Sequence, residues 1–243
     1  MGENEYKYRN ETFARTELLI GEAGLERLRK SRVAVFGVGG VGGYAVEALA
    51  RSGVGFLLLV DNDLVSESNL NRQIIALRST IGKYKTQVMK ARIADICPET
   101  VVETRECFLL PENVHAFHFE DYDYVVDAID TVSGKLALAE SCYRTGTPVI
   151  SAMGAGNKLD PTKFTVTDIY KTQICPLARV MRRELRKRGI PKLKVVYSTE
   201  AAAALERQLL PEDGRRVTPG SMAFVPGAAG LILASEVVRD ILS

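Results

Sequence analysis

Residues 33–61 read VAVFGVGGVGGYAVEALARSGVGFLLLVD. An apolar run, Val33–Phe36, meets Gly37, Gly39, Gly40 and Gly42. A helical pattern carrying Val46, Leu49 and Ala50 follows, and a second apolar run, Phe56–Val60, ends at Asp61. The order is strand, glycine turn, helix, strand. Such a unit turns backbone N–H groups and a helix N-terminus toward phosphate oxygens. Glycine belongs where a Cβ would block that approach. The stretch therefore implies nucleotide binding. It does not say which nucleotide, because Gly37-x-Gly39-x-x-Gly42 with an acid at Asp61 also fits the dinucleotide fingerprint.

Outward from this unit, helices and strands alternate. Arg15–Lys30 reads as a helix with Leu18, Leu19, Leu25 and Leu28 on its apolar side. Lys83–Ile96 reads as a helix stopped by Pro98, Val101–Phe108 as a strand and Pro111–Phe117 as a short helix. Tyr124–Ala128 is a strand, Lys135–Thr145 a helix and Pro148–Ala152 a strand. Short joins between alternating elements predict an α/β fold, a Rossmann-like and mostly parallel sheet flanked by helices. After Met153 the texture changes. Glycines, Pro161 and the period-two pair Phe164 and Val166 predict a smaller mixed or antiparallel extension. Arg179–Arg188 is a basic helix, Lys192–Thr199 a strand and Leu205–Arg216 a polar loop. One composite domain over residues 1–243 is expected, with the nucleotide-binding core at 12–153 and a substrate-side extension with a terminal helix at 154–243.

Composition narrows the class. Of 243 residues 46% are hydrophobic, enough for a full core. The net charge of +2 means that any nucleic-acid affinity must come from local clustering. The four cysteines, Cys97, Cys107, Cys142 and Cys175, form no CxxC pair, so the common structural zinc spacing is absent and no zinc is expected. Scattered thiols suit a reduced, cytoplasmic setting. The polar N-terminus lacks an apolar signal core. The uncharged run Thr218–Ser235 approaches membrane-span length, but Pro219, Gly220, Pro226, Gly227 and Gly230 interrupt it, so it reads as a buried terminal helix.

The residues after the glycines separate the nucleotide classes. Asp61 is followed by Asp63, then Ser68-Asn69-Leu70-Asn71-Arg72-Gln73, then Gly82-Lys83-x-Lys85, then Asp127-Ala128-Ile129-Asp130. In this order and spacing the chain resembles the E1-like adenylating family, closely over about residues 12–156 and loosely beyond. The resemblance implies that ATP is used to convert a carboxylate into an acyl-adenylate. It implies that Asp61, with Asp63 beside it, holds the ribose. It implies that Gly37, Gly39, Gly40 and Gly42 admit the phosphates, with Ser68, Asn69, Asn71, Arg72, Lys85 and Thr131 around them. Asp130 would hold Mg²⁺. Arg72, Lys85 and Asp130 would be catalytic, joined by Arg15 reaching the site of a second copy in a homodimer. Nothing after Asp61 suggests hydride transfer, which disfavours an NAD-dependent oxidoreductase, and the intact Arg72, Lys85 and Asp130 set disfavours a noncatalytic binding module.

Sulfur-carrier activators of this family carry two CxxC zinc pairs, and ubiquitin activators append a thioester domain; this chain has neither. Gly154-Ala155-Gly156, Asp160-Pro161-Thr162, Val166-Thr167-Asp168, Lys171-Thr172 and Tyr197-Ser198-Thr199-Glu200 instead resemble the branch that dehydrates threonylcarbamoyladenosine at position 37 of tRNA. That branch implies tRNA as partner. It also allows a structural monovalent cation (Na⁺ or K⁺) and a sulfur-relay or cysteine desulfurase protein partner. The alternative is an adenylyltransferase acting on the C-terminal carboxylate of a sulfur-carrier protein. Independently of the resemblance, residues 179–194 hold eight basic residues against one acid, Glu184. Arg179, Arg182, Arg183 and Arg186 fall on one helix face, suited to tRNA phosphates. Cyclisation within one substituent needs no enzyme thiol, so Cys175 is read as an ordinary semi-buried cysteine.

Overall fold

Strands β1 (Arg32–Phe36), β2 (Phe56–Val60) and β4 (Tyr124–Asp127) are almost wholly buried, as expected of strands covered on both faces. With β3 (Val101–Arg105), β5 (Val149–Ala152), β6 (Phe164–Asp168) and β7 (Lys194–Ser198) they form one sheet in the order β3-β2-β1-β4-β5-β7-β6. Every pairing is parallel except β6 with β7. The structure, a computed structural model, describes residues 11–206 and 218–243. The expected polar loop Leu205–Arg216 lies almost entirely outside the described residues.

Side-chain alternation divides the sheet into two cores. Val33, Val35, Leu57, Leu59 and Val126 face α1 (Ala14–Lys30), α2 (Gly42–Arg51), α3 (Lys85–Ile96) and α6 (Phe224–Leu242). Ala34, Phe36, Leu58, Val60 and Val125 face α4 (Val132–Thr145). A third cluster joins α4 to α5 (Pro176–Lys187) through Leu136, Met181 and Leu185, and covers Val195 and Tyr197 of β7. The antiparallel β6–β7 pair is thus the expected extension, added to the edge of the same sheet.

Several element bounds differ from expectation. Helix α1 bends at Gly21, whose φ of 71° and ψ of 169° are not helical. The third strand stops at Arg105 rather than Phe108, and the short helix is only a 3₁₀ turn at Val114–Ala116. Residues 218–223 are not helical; α6 starts at Phe224 and buries Val225, Ala229, Leu233 and Val237. Among the described residues no helix is long and apolar enough to cross a membrane.

Candidate active site

The carboxyl ends of β1, β2, β4 and β5 open on one cleft of about 560 Å³. It lies between β1 and β4, where the strand order reverses: β2 and β3 follow β1 on one side, and the chain then crosses back to β4 on the other, the usual crevice of a doubly wound sheet. The glycine turn follows β1. Gly37 N–H donates to the Val60 carbonyl at 2.8 Å, and its φ of +90° is left-handed. At Gly42 a Cβ would meet the Gly37 carbonyl oxygen at 1.8 Å, so α2 can begin only with glycine there. At Gly39 and Gly40 the protein leaves room for a Cβ, the nearest atoms being Gln73 Nε2 at 3.8 Å and Pro226 Cβ at 3.4 Å. Those two glycines line the cleft and Gly42 lies beneath it.

The acid at the tip of β2 is held rigidly. Asp61 Oδ2 accepts the Val38 N–H at 2.7 Å and Oδ1 accepts the Asp63 N–H at 2.8 Å. Asp63 Oδ2 in turn receives Lys85 Nζ at 2.6 Å. The Lys85 side chain is only 6% exposed while that of Asp63 is 58% exposed, so the cation lies in the wall and its partner at the rim. Buried Asn69 accepts the Ser66 N–H at 3.1 Å, closing a turn that puts Arg72 over the glycines. Across the cleft, Asp130 and Thr131 sit between β4 and α4.

The structure brings together Gly37, Gly39, Gly40, Asp61, Asp63, Asn69, Arg72, Lys85, Asp130 and Thr131 as cleft-lining residues. Four expected site residues stand elsewhere. Gly42 does not line the cleft; its missing Cβ makes room for the Gly37 carbonyl, not for phosphate. Ser68 and Asn71 do not line the cleft; the Ser68 carbonyl and Asn71 Oδ1 both accept Arg72 Nη1 at 2.8 Å, so they aim the guanidinium. Arg15 is exposed on α1 and does not line this chain's cleft. Sequence motifs missed Ser221 and Pro226, which close the cleft from the start of α6. Asn71 Nδ2 bonds the Ser221 carbonyl at 3.0 Å across 150 positions of sequence. They also missed Gln73 as a lining residue. Its side chain is buried, and Oε1 has no hydrogen-bond partner among the described residues.

The basic helix is partly committed to its own chain. Arg182 Nη1 donates to the Thr172 carbonyl at 2.9 Å and to its hydroxyl, so this arginine fastens the loop before α5. Arg179, Arg183 and Arg186 are exposed, with Arg186 over the Tyr170 ring at 5.2 Å. Hydrogen bonds from Lys187, Arg183 and Arg188 pull the Glu184 carboxyl down to about 2. Cys175 is buried and outside the cleft.

This architecture has known counterparts. The sequence matches the ThiF family over residues 13–243. The chain belongs to the ThiF family. This E1-like ThiF family member is 48% identical over 239 residues to the tRNA threonylcarbamoyladenosine dehydratase of Bacillus subtilis, covering 95% of this chain and 94% of that one. It is 43% identical over 197 residues to the dehydratase of the same name from Escherichia coli, covering 78% and 74% of the two chains. Crystal structures of the Escherichia coli enzyme TcdA superpose with TM-scores of 0.87 for the AMP complex and 0.86 for the ATP complex. Both cover 95% of this chain and 93% of that one, at 37% and 36% identity.

Proposed function

We propose that this ThiF family chain is an ATP-dependent tRNA threonylcarbamoyladenosine dehydratase. The observation that carries the reading is the convergence of Arg72, Lys85, Asp61 and Asp130 on one cleft at the switch point of the sheet. The likeness to dehydratases, including one solved with ATP, supports the choice of substrate.

In this reading Asp61, already oriented by two backbone N–H groups, holds the ribose hydroxyls. Gly39 and Gly40 admit the phosphates, and Arg72 and Lys85 bind them. Asp130 suits Mg²⁺, an ion commonly held by one or two carboxylates together with substrate phosphates. When bound there, the ion neutralises phosphate charge as it develops. An oxygen of the threonyl carboxylate attacks the α-phosphorus, and pyrophosphate departs. A nitrogen of the same substituent then attacks the activated acyl carbon, loses its proton, and expels AMP as a five-membered ring closes. The nucleophile is tethered, so an effective concentration on the order of 10⁵ M or more is available without an enzyme thiol. The net change in the modified adenosine is loss of one water.

Arg179, Arg183 and Arg186, exposed on α5, would bind tRNA phosphates in this reading. A homodimer fits the exposed apolar side chains of Leu18 and Leu19, 81% and 88% accessible on the same helix as Arg15, which would then enter the partner's cleft. A cytoplasmic location, a monovalent structural cation and a sulfur-relay protein partner come with this reading. Mass spectrometry of nucleosides from threonylcarbamoyl-modified tRNA, incubated with the protein and Mg-ATP, tests it. A loss of one water from the modified adenosine that requires ATP is expected. No change, with AMP appearing on an added sulfur-carrier protein, would transfer the assignment to a carrier-activating adenylyltransferase.

A further inference from the structure

Beneath the cleft lies a charged group with no part in the chemistry above. Lys135, on the first turn of α4, is 1% exposed. Its Nζ donates to Asp127 Oδ1 at 3.0 Å, to Ser151 Oγ at 3.2 Å and to the Ala152 carbonyl at 2.7 Å. Ser151 Oγ donates onward to Asp127 Oδ2 at 2.6 Å, and the Ile129 N–H reaches Asp127 Oδ1 at 3.3 Å. All three protons of the ammonium are used and both carboxylate oxygens are filled.

A buried ion pair is poor value as a stabiliser, because desolvation offsets most of its attraction. This one is located where geometry matters. Asp127 ends β4 and leads directly into Ala128, Ile129, Asp130 and Thr131, which line the cleft opposite Arg72 and Lys85. Ser151 and Ala152 end β5 and lead into Ala155 and Gly156, which line the cleft on the side of the extension. None of the three linked residues, Asp127, Lys135 and Ser151, lines the cleft itself. The network therefore ties two walls together from behind, across the neighbouring strands β4 and β5.

We infer that Lys135, with Asp127 and Ser151, is a positioning residue that sets the distance between the α-phosphate and the carboxylate that attacks it. This rests on the proposed adenylating function. In that reading the two walls carry different reactants, so loosening their link lowers the rate of the joint step and leaves each reactant's own contacts in place. The effect falls on kcat, with KM for ATP little changed.

The test is steady-state and ATP-binding measurement on Ser151→Ala, Lys135→Arg and the double variant Asp127→Asn with Lys135→Met. The double variant leaves no unpaired buried charge, and Ser151→Ala removes only a hydroxyl, so one of them supplies a folded protein. Leu138→Ala, a buried core truncation on the same helix, is the control for simple destabilisation. Expected are a fall in kcat of at least tenfold in the double variant and about threefold or more in Ser151→Ala. KM and Kd for ATP should stay within about threefold, and Lys135→Arg should regain part of the rate. Leu138→Ala should keep its kcat at temperatures where it is folded. Variants that retain wild-type kcat, or a Leu138→Ala protein that loses kcat in proportion to its melting temperature as they do, would overturn the inference. A wild-type protein that dehydrates no substrate would instead remove the functional reading on which it stands.

Discussion

A Cβ at Gly42 would lie 1.8 Å from the Gly37 carbonyl oxygen, whereas one at Gly40 meets nothing closer than Pro226 at 3.4 Å. The first glycine is required by the fold, and the second is open toward the cleft. Gly42→Ala should therefore lower unfolding free energy by roughly 3 kcal/mol, read from urea denaturation. Gly40→Ala should change stability by less than about 1 kcal/mol yet weaken ATP binding at least about tenfold by calorimetry. Equal losses of stability in the two variants would remove the distinction. Asp130→Asn should keep the fold and lower kcat about 100-fold, the scale on which removal of one electrostatic group acts. An Asn variant with full activity would exclude the role proposed for Asp130. The glycine turn and Asp61 were legible from the strand–turn–helix–strand pattern, whereas Arg72, Lys85 and Asp130 were singled out by the family resemblance, since no periodicity marks them. That Ser68 and Asn71 hold Arg72 instead of lining the cleft was not legible, because a short motif gives residue type but not the direction in which a side chain points.

At the level of elements, α2 is tied to α3 through Glu47, which is buried and bonded to Arg92 Nε at 2.5 Å and to Arg51 Nε at 2.8 Å. Burial pushes the Glu47 carboxyl upward, but Arg92 and Arg51 more than offset this and hold it below the ordinary range. A lowered folded-state value stabilises the protein above the unfolded-state value of about 4.3. That contribution fades as pH falls below this value and is gone once the folded-state carboxyl is protonated. Wild type should thus lose stability more steeply than Glu47→Gln between about pH 4.5 and 3, seen as converging melting temperatures. Parallel curves would contradict the assignment. The strands were legible from continuous apolar runs, and α4 and α5 from their periodicity. The bend at Gly21 was not, since a single glycine inside a helical pattern is compatible with an unbroken helix. The third strand ended early because the polar run Glu103–Glu106 gives no apolar alternation by which to place its end.

Across the whole molecule, the sheet carries a nucleotide cleft at its carboxyl edge and a cationic helix, α5, against its extension. The parallel α/β order was readable from alternation alone. The return of α6 to the glycine turn was not, because Ser221 lies 150 positions from Asn71 and Pro226 further still from Gly40, and no periodic pattern encodes such a contact. The cationic face of α5 was readable as charge, but Arg182 turns out to be an internal tie to Thr172. The double variant Arg183→Glu with Arg186→Glu should weaken tRNA binding about tenfold or more at moderate salt, flatten its salt dependence, and spare ATP affinity. Unchanged tRNA affinity in a filter-binding assay would move the RNA surface elsewhere. Attack of a substrate carboxylate on the α-phosphorus of ATP is the step from which everything else follows, and oxygen tracing follows that bond. With ¹⁸O in both oxygens of the threonyl carboxylate, the account predicts one ¹⁸O in the released AMP and none in pyrophosphate. Label in inorganic phosphate with ADP as co-product, or unlabelled AMP, would contradict it.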